Sequence, residues 1–238
     1  TTLPYGCFRT TSNKYTFNTN TQSNVDCSKD NTCICNTKEC AKCPHGRYTN
    51  GGNVVKCTDI CPKGFYCPTG KESIPCGTGK YNNVLKQTTE SACKSCETGK
   101  YHDLTGQESE SSCKSCEKGR YNDLLAQQEC KSCLKGTYND LVGQSTISSC
   151  KPCGVGKYND LIAQISEENA CKKCVVGKFN DLTAQQDESN CKACVEGKYN
   201  NELGQNECKN CGKGKYSDVG TQQIAKTVCK ACAAGKYS

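Results

Sequence analysis

Between Cys93 and Cys232 one phrase returns eight times with small variations: C-K-x-C, two residues, G-K-Y-N-D-L, a polar run ending in Gln, then the next C-K-x-C. The pairs are Cys93/Cys96, Cys113/Cys116, Cys130/Cys133, Cys150/Cys153, Cys171/Cys174, Cys191/Cys194, Cys208/Cys211 and Cys229/Cys232, and the spacer between one pair and the next varies in length. A period near twenty residues reads as stacked units, each too small to bury a core alone. The expected fold is small and disulfide-rich, mainly irregular with short β-hairpins, laid out as an elongated linear array of cysteine-rich repeats of about 20 residues.

Composition says what holds such units together. The 238 residues include 26 Cys but only four Phe and neither Trp nor Met, so covalent staples have to replace a conventional core. Disulfides at this density persist in oxidising compartments, which points to an extracellular or cell-surface protein. No initiator Met, signal-peptide pattern or run of eighteen apolar residues occurs, so the chain is expected to be a mature form or a fragment, with membrane attachment only through regions outside it. Gly235-Lys236-Tyr237-Ser238 reads as the opening of a further copy. The net charge of +7 comes from Lys at fixed repeat positions with Asp and Glu between them, and no continuous basic run exists. That pattern is a solvated face and argues against nucleic acid, while stacked Lys stripes would suit sulfated or acidic glycans.

Three segments follow. Residues 1–42 carry Cys7, Cys27, Cys33, Cys35 and Cys40 at irregular spacing and read as an atypical, disulfide-held N-terminal cap. Residues 43–75 hold divergent units, and residues 76–238 the tandem repeats. Within a repeat, Gly99, Gly119, Gly136, Gly156, Gly177, Gly197 and Gly214 fall where a positive φ or a close backbone approach is needed. The aromatic two residues later, Tyr101 to Tyr216 with Phe179 among them, is expected to lie over a neighbouring disulfide. Asn-Asp pairs such as Asn122-Asp123 and Asn159-Asp160 favour turns, and the Leu that follows is expected to tuck back as a minor anchor. Length changes fall between Gln and the next Cys and mark an exposed loop. A longer period also shows: Cys113 to Cys191 and Cys130 to Cys208 span the same interval of four units, which either records block duplication or matches a lateral contact recurring along a rod.

The cysteine pairs admit three readings. The second Cys of one pair can bond the first of the next, closing each hairpin and removing on the order of 3 kcal/mol of unfolded-state entropy per loop. Each C-x-x-C can close on itself as a redox pair, which would leave the polar loops unconstrained and lacks the βαβ setting of such motifs. Adjacent pairs can hold zinc as four thiolates, but they tile head to tail without dividing into fours.

The phrase C-x-x-C-x-x-G-K-Y-x-D-x-x-x-Q-x-x-x-x-C-x-x-C resembles the cysteine-rich repeat shared by ephrin receptors and many extracellular proteins of protists and animals. It is more distantly similar to the first module of tumour-necrosis-factor-receptor repeats. The usual Pro after the second cysteine is kept at Cys43-Pro44 and Cys61-Pro62 but not in the regular copies. The resemblance implies a disulfide-linked rod without catalysis or transferable ligand residues, and the cross-unit pairing. That pairing is Cys76–Cys93, Cys96–Cys113, Cys116–Cys130, Cys133–Cys150, Cys153–Cys171, Cys174–Cys191, Cys194–Cys208 and Cys211–Cys229, with Cys43–Cys57 and Cys61–Cys67 in the divergent units and Cys232 left over.

Catalytic chemistry finds little to work with. His45 and His102 are the only histidines and lie in variant positions, so no enzyme, metal or cofactor is expected. One Asp per repeat is too few oxygens for calcium. No N-x-S/T acceptor occurs, which leaves faces free for packing. The expected function is a non-enzymatic structural rod of a protist cell exterior, as a filament, stalk or surface-coat component such as a ciliary or flagellar hair. Its partners would be copies of itself, other extracellular structural proteins or glycans. The alternative is a receptor or adhesin ectodomain in which the atypical segment from Thr1 to Pro75 binds a ligand while the repeats act as a spacer.

Overall fold

Two residues per strand is all that each repeat can pair, because a Gly turn precedes the strand and the Asn-Asp turn ends it. The computed structural model describes residues 46–48, 59–68, 70, 72–218, 220 and 223–236, together with the backbone of three earlier strands. Those strands, Cys7–Thr11, Lys14–Phe17 and Ile34–Cys35, form one antiparallel sheet with the longest of them central. After them the described residues form ten two-stranded antiparallel hairpins, from Arg47–Tyr48 with Asp59–Ile60 to Lys215–Tyr216 with Lys230–Ala231. The chain divides into two compact units, Thr1–Cys96 with His102–Cys113, and Glu97–Tyr101 with Lys114–Ser238.

Nine disulfides run along the described residues. In the first unit Cys61 bonds Cys67, Cys76 bonds Cys93 and Cys96 bonds Cys113. In the second, Cys116 bonds Cys130, Cys133 bonds Cys150, Cys153 bonds Cys171, Cys174 bonds Cys191, Cys194 bonds Cys208 and Cys211 bonds Cys229. The Cys61–Cys67 bridge brackets the single strand Phe65–Tyr66. From Cys76 onward each bridge joins a cysteine ahead of a hairpin's first strand to the residue just before its second, so the covalent loop and the hairpin coincide. The thiols are thereby consumed: neither self-closed C-x-x-C pairs nor a cluster of three or more metal-type ligands occurs among the described residues. Cys232 carries a free thiol, partly buried. The cap expected over residues 1–42, with its cysteine pairings, and the Cys43–Cys57 bridge lie outside the residues whose side chains are described.

Apolar packing is thin and local. Tyr81 packs on Cys96 and Cys113, Tyr138 on Cys153 and Cys171, and Tyr158 on Cys174 and Cys191. Each ring therefore lies on the disulfide of the following hairpin, as its register suggested. The Leu after Asn-Asp does not tuck back. Leu124, Leu141, Leu161 and Leu182 are all more than half exposed, and the interior place is taken by the Asn two residues earlier.

That Asn joins one hairpin to the next. Asn82, Asn122, Asn139, Asn159, Asn180 and Asn200 are essentially fully buried. The Nδ2 of Asn139 donates to the Arg120 carbonyl (2.9 Å), that of Asn159 to Thr137 (2.9 Å) and that of Asn180 to Lys157 (2.9 Å), in each case on the preceding hairpin's first strand. Their Oδ1 atoms accept the backbone N–H two residues on, at Leu141, Leu161 and Leu182, which makes the expected turn. The main chain repeats the stitch. Asn159 N–H donates to the Gln185 carbonyl of the next hairpin, and the Asn159 carbonyl accepts from Gly136 N–H of the previous one, both at 2.8 Å. A buried amide with all its groups paired is stable where an unpaired one costs about 1–3 kcal/mol per orphaned group.

The loop tips reach further. Ala163 N–H donates to the Cys133 carbonyl (2.9 Å), and its own carbonyl oxygen presses on Gly119, two hairpins back. A Cβ at Gly119 would overlap that oxygen, and the residue also holds φ at +77°. At the tip itself φ is positive too: Gly143 (+67°) and Gly204 (+71°) share the register with Ala163 and Ala184 (both +56°). The longer loops add one helical turn before the second cysteine, as at Glu167–Ala170 and Glu188–Asn190, which is where the extra residues go.

Four variants test these contacts in denaturant melts of the oxidised chain. Gly119→Ala should cost more than about 3 kcal/mol, since both strain and backbone overlap apply, whereas Ala163→Gly should gain about 1 kcal/mol by relieving a left-handed alanine. Asn159→Leu should cost about 3 kcal/mol by orphaning the Thr137 carbonyl and the Leu161 N–H. Asn159→His should cost less, because His102 occupies the equivalent place in its own hairpin and its Nδ1 accepts from Leu104 N–H at 3.0 Å. Equal losses for the two Asn159 variants would contradict the clamp.

Candidate interaction surface

With the cysteines bridged and the Asn side chains inward, chemistry at the surface rests on three residue sets: the Lys stripes, the Asp beside them and the apolar pair after the Asp. The sequence-derived site residues were the bridged cysteines, and most are buried, with Cys76, Cys116, Cys133, Cys153, Cys174 and Cys194 fully so. They hold the frame and offer no reactive group. His102 is also buried (3% exposed), so it is part of the frame, and His45 lies outside the described residues.

The Lys after each first cysteine folds over its own hairpin. In the second unit Lys131 meets Asp123 (2.6 Å), Lys151 meets Asp140 (2.8 Å), Lys172 meets Asp160 (2.8 Å), Lys192 meets Asp181 (2.7 Å) and Lys230 meets Asp218 (2.7 Å). The disulfide fixes both ends of the loop, which is why the contact survives sequence separations from 8 to 12 residues. The same ammonium groups sit over the ring of the cross-strand aromatic: Lys151 over Tyr138 (5.9 Å), Lys172 over Tyr158 (5.9 Å) and Lys192 over Phe179 (5.8 Å). The Lys before the aromatic reaches the helical turn instead, as Lys157 does to Glu167 at 2.6 Å. A stripe that looks basic in sequence is therefore largely neutralised within each hairpin.

Between these ion pairs stand apolar side chains in solvent. Leu124-Leu125, Leu141-Val142 and Leu161-Ile162, on three consecutive hairpins, are each 52–60% exposed. The hydrogen bonds that repeat from hairpin to hairpin hold the three loops in one register: Asn122 N–H to the Gln144 carbonyl and Asn139 N–H to the Gln164 carbonyl, both 2.9 Å. Exposed Leu and Ile scattered singly need no explanation, but pairs recurring at one place do. Sequence reading missed this surface because it assigned the Leu to the interior. The signal was available in the second apolar residue, since a single inward anchor does not call for two in succession.

One groove of about 280 Å³ is lined by Phe179, Lys192, Val195, Lys198 and Glu207 among others, and one of about 250 Å³ by Tyr101, Glu117, Arg120, Glu129 and Cys130. Both fall below the usual range for small-molecule pockets. Among the described residues no helix is long and apolar enough to cross a membrane. No protein-family model matches the chain, and no curated protein matches it either.

The ion pairs set a pH profile. Hydrogen bonds from their lysines hold Asp123, Asp140, Asp160 and Asp218 below the usual carboxylate range, and Lys131, Lys151, Lys172 and Lys230 are raised in return. Burial raises the Tyr138 and Tyr158 phenols. Lowered carboxyls contribute stability that is present above their unfolded pKa and lost as pH falls through the folded one. Raised lysines and tyrosines contribute stability present below their unfolded values and lost as pH rises through the folded ones. Thermal unfolding of the oxidised chain should show a plateau from about pH 5 to about pH 9 with shallow losses on both sides. Because the pairs are exposed, about 1 M salt should flatten the acid arm and the lysine share of the alkaline arm, leaving the share that comes from burial of the phenols. A slope inside the plateau, or arms indifferent to salt, would contradict this assignment.

Proposed function

We propose that the chain is a non-enzymatic structural protein of the cell exterior, a disulfide-stapled array that serves as spacer and packing surface in a filament, stalk or surface coat. A ciliary or flagellar hair is one concrete setting. The observation that carries the reading is the closure of each hairpin from Cys76 to Cys229 by its own disulfide over a small buried polar side chain, Asn in most copies, with a buried or half-buried aromatic ring in all but the last, where Tyr216 is exposed. A chain built this way folds where thiols are oxidised. Support also comes from the uniformity of the units, which differ in loop length but keep the same clamp, and from the repeat's resemblance to the ephrin-receptor-like modules of extracellular proteins. Spacer and packing duties need repetition, whereas a catalytic site needs one hairpin to differ from the rest.

The experiment is surface labelling of the source cells with an antibody raised against residues 93–232, alongside thiol alkylation of the protein recovered from them. Label on intact, unpermeabilised cells or on filaments they shed, with the cysteines resistant to alkylation before reduction, is the expected result. Label that appears only after permeabilisation, on protein whose thiols alkylate freely, would overturn the proposal.

A further inference from the structure

We infer that Leu124, Leu125, Leu141, Val142, Leu161 and Ile162 form a self-association surface on which two copies of this chain meet face to face, related by a two-fold axis through the middle hairpin. The inference deepens the structural reading above and rests on it.

Area is the first argument. Six such side chains, each somewhat more than half exposed, present on the order of 500 Å² of apolar surface, at the upper end of what a monomer's largest patch shows. A standard interface buries about 800 Å² on each partner and is roughly 60% apolar, so the patch equals the apolar centre of one such interface.

Charge is the second. The chain carries +7, which would oppose pairing of like copies. The ion pairs beside this patch add little to that charge, because Lys131–Asp123, Lys151–Asp140 and Lys172–Asp160 are each neutral within one hairpin, with Lys118 and Lys135 the further cations that Asp140 and Asp160 sense. A second copy brings the same paired lysines.

Symmetry is the third. Apolar pairs occur at both ends and in the middle of the patch, so a two-fold through Leu141-Val142 sets Leu124-Leu125 of one copy against Leu161-Ile162 of the other. That is the self-complementarity an isologous contact requires. The run of three pairs is also not carried over by the four-unit duplication. Glu202 and Gly220 stand one four-unit period on from Leu124 and Val142, and although Val84-Leu85 precedes Leu161-Ile162 by one period, the run of three consecutive apolar pairs occurs at one place only in the second unit.

Sedimentation velocity on the full oxidised chain, from about 1 to about 200 µM, reads the surface directly. A monomer–dimer equilibrium within that range is expected. Leu141→Asp with Val142→Asp should weaken it at least about 100-fold while the non-reducing disulfide map stays unchanged, and Leu134→Asp, at an exposed apolar residue outside the patch, should leave it alone. Leu124→Glu and Ile162→Lys should each weaken dimers of their own kind, and an equimolar mixture of the two should associate more tightly than either. A wild-type chain that stays monomeric, a patch variant that dimerises normally, or a mixture that associates no better than its components overturns the inference. So does a monomer that uses the same six residues to bind lipid vesicles or a sulfated polysaccharide. A monomeric chain with surface label and closed disulfides would remove this interface and leave the extracellular structural reading standing, whereas cytosolic, alkylatable thiols would remove the latter.

Discussion

Everything above the single hairpin depends on a buried carboxamide. The Asn at the end of a first strand places its NH₂ on the strand behind it and, in every copy but Asn122, whose buried Oδ1 has no partner among the described residues, its oxygen on its own turn, as Asn159 does with Thr137 and Leu161. Replacing water around that amide with two protein partners is close to neutral when both bonds form and costly when either is missing. Position is therefore specified more strongly than stability is increased. The disulfides supply the stability, by limiting the unfolded chain, and the amides tell each closed loop where to sit on the last.

This division of labour explains the composition. An array whose hairpins meet through amides, glycines and disulfides needs no Leu-rich interior, so its Leu, Ile and Val are left for the outside. The two glycine registers follow from the same stacking. One, at Gly99, Gly119, Gly136 and Gly156, is where the backbone of a hairpin two steps on comes too close for a side chain; the other, at the loop tip, asks only for a positive φ and tolerates Ala at 163 and 184. The Lys–Asp pairs lie outside this frame and close over it, which turns a basic repeat into a locally neutral one.

Much of the frame was legible from residues alone, because its parts are local or strictly periodic. Short hairpins, the glycine turn and the ring on the following disulfide all sit within one period of the residues that make them. What escaped was decided across periods. The partner of Asn180, the Lys157 carbonyl, lies in the preceding repeat with a loop of variable length between, so no spacing rule announces it. Turn propensity accounted for Asn-Asp well enough that a second role was not sought, and hydrophobicity then sent Leu141 and Leu161 inward by default. Polar residues held at one register, with His102 and Ser217 as the substitutes, were the clue that the interior position is polar in every copy.

The most direct test of the central claim, that covalent loops and buried amides stand in for an apolar core, is the amide proton spectrum of the chain before and after complete reduction and alkylation in native buffer. Wide chemical-shift dispersion in the oxidised chain should collapse to that of an unfolded polypeptide once the bridges are gone, since Tyr–disulfide contacts and amides cannot offset the entropy of the freed loops. A reduced, fully alkylated chain that keeps its dispersion would show that other packing holds the hairpins, and would contradict the claim.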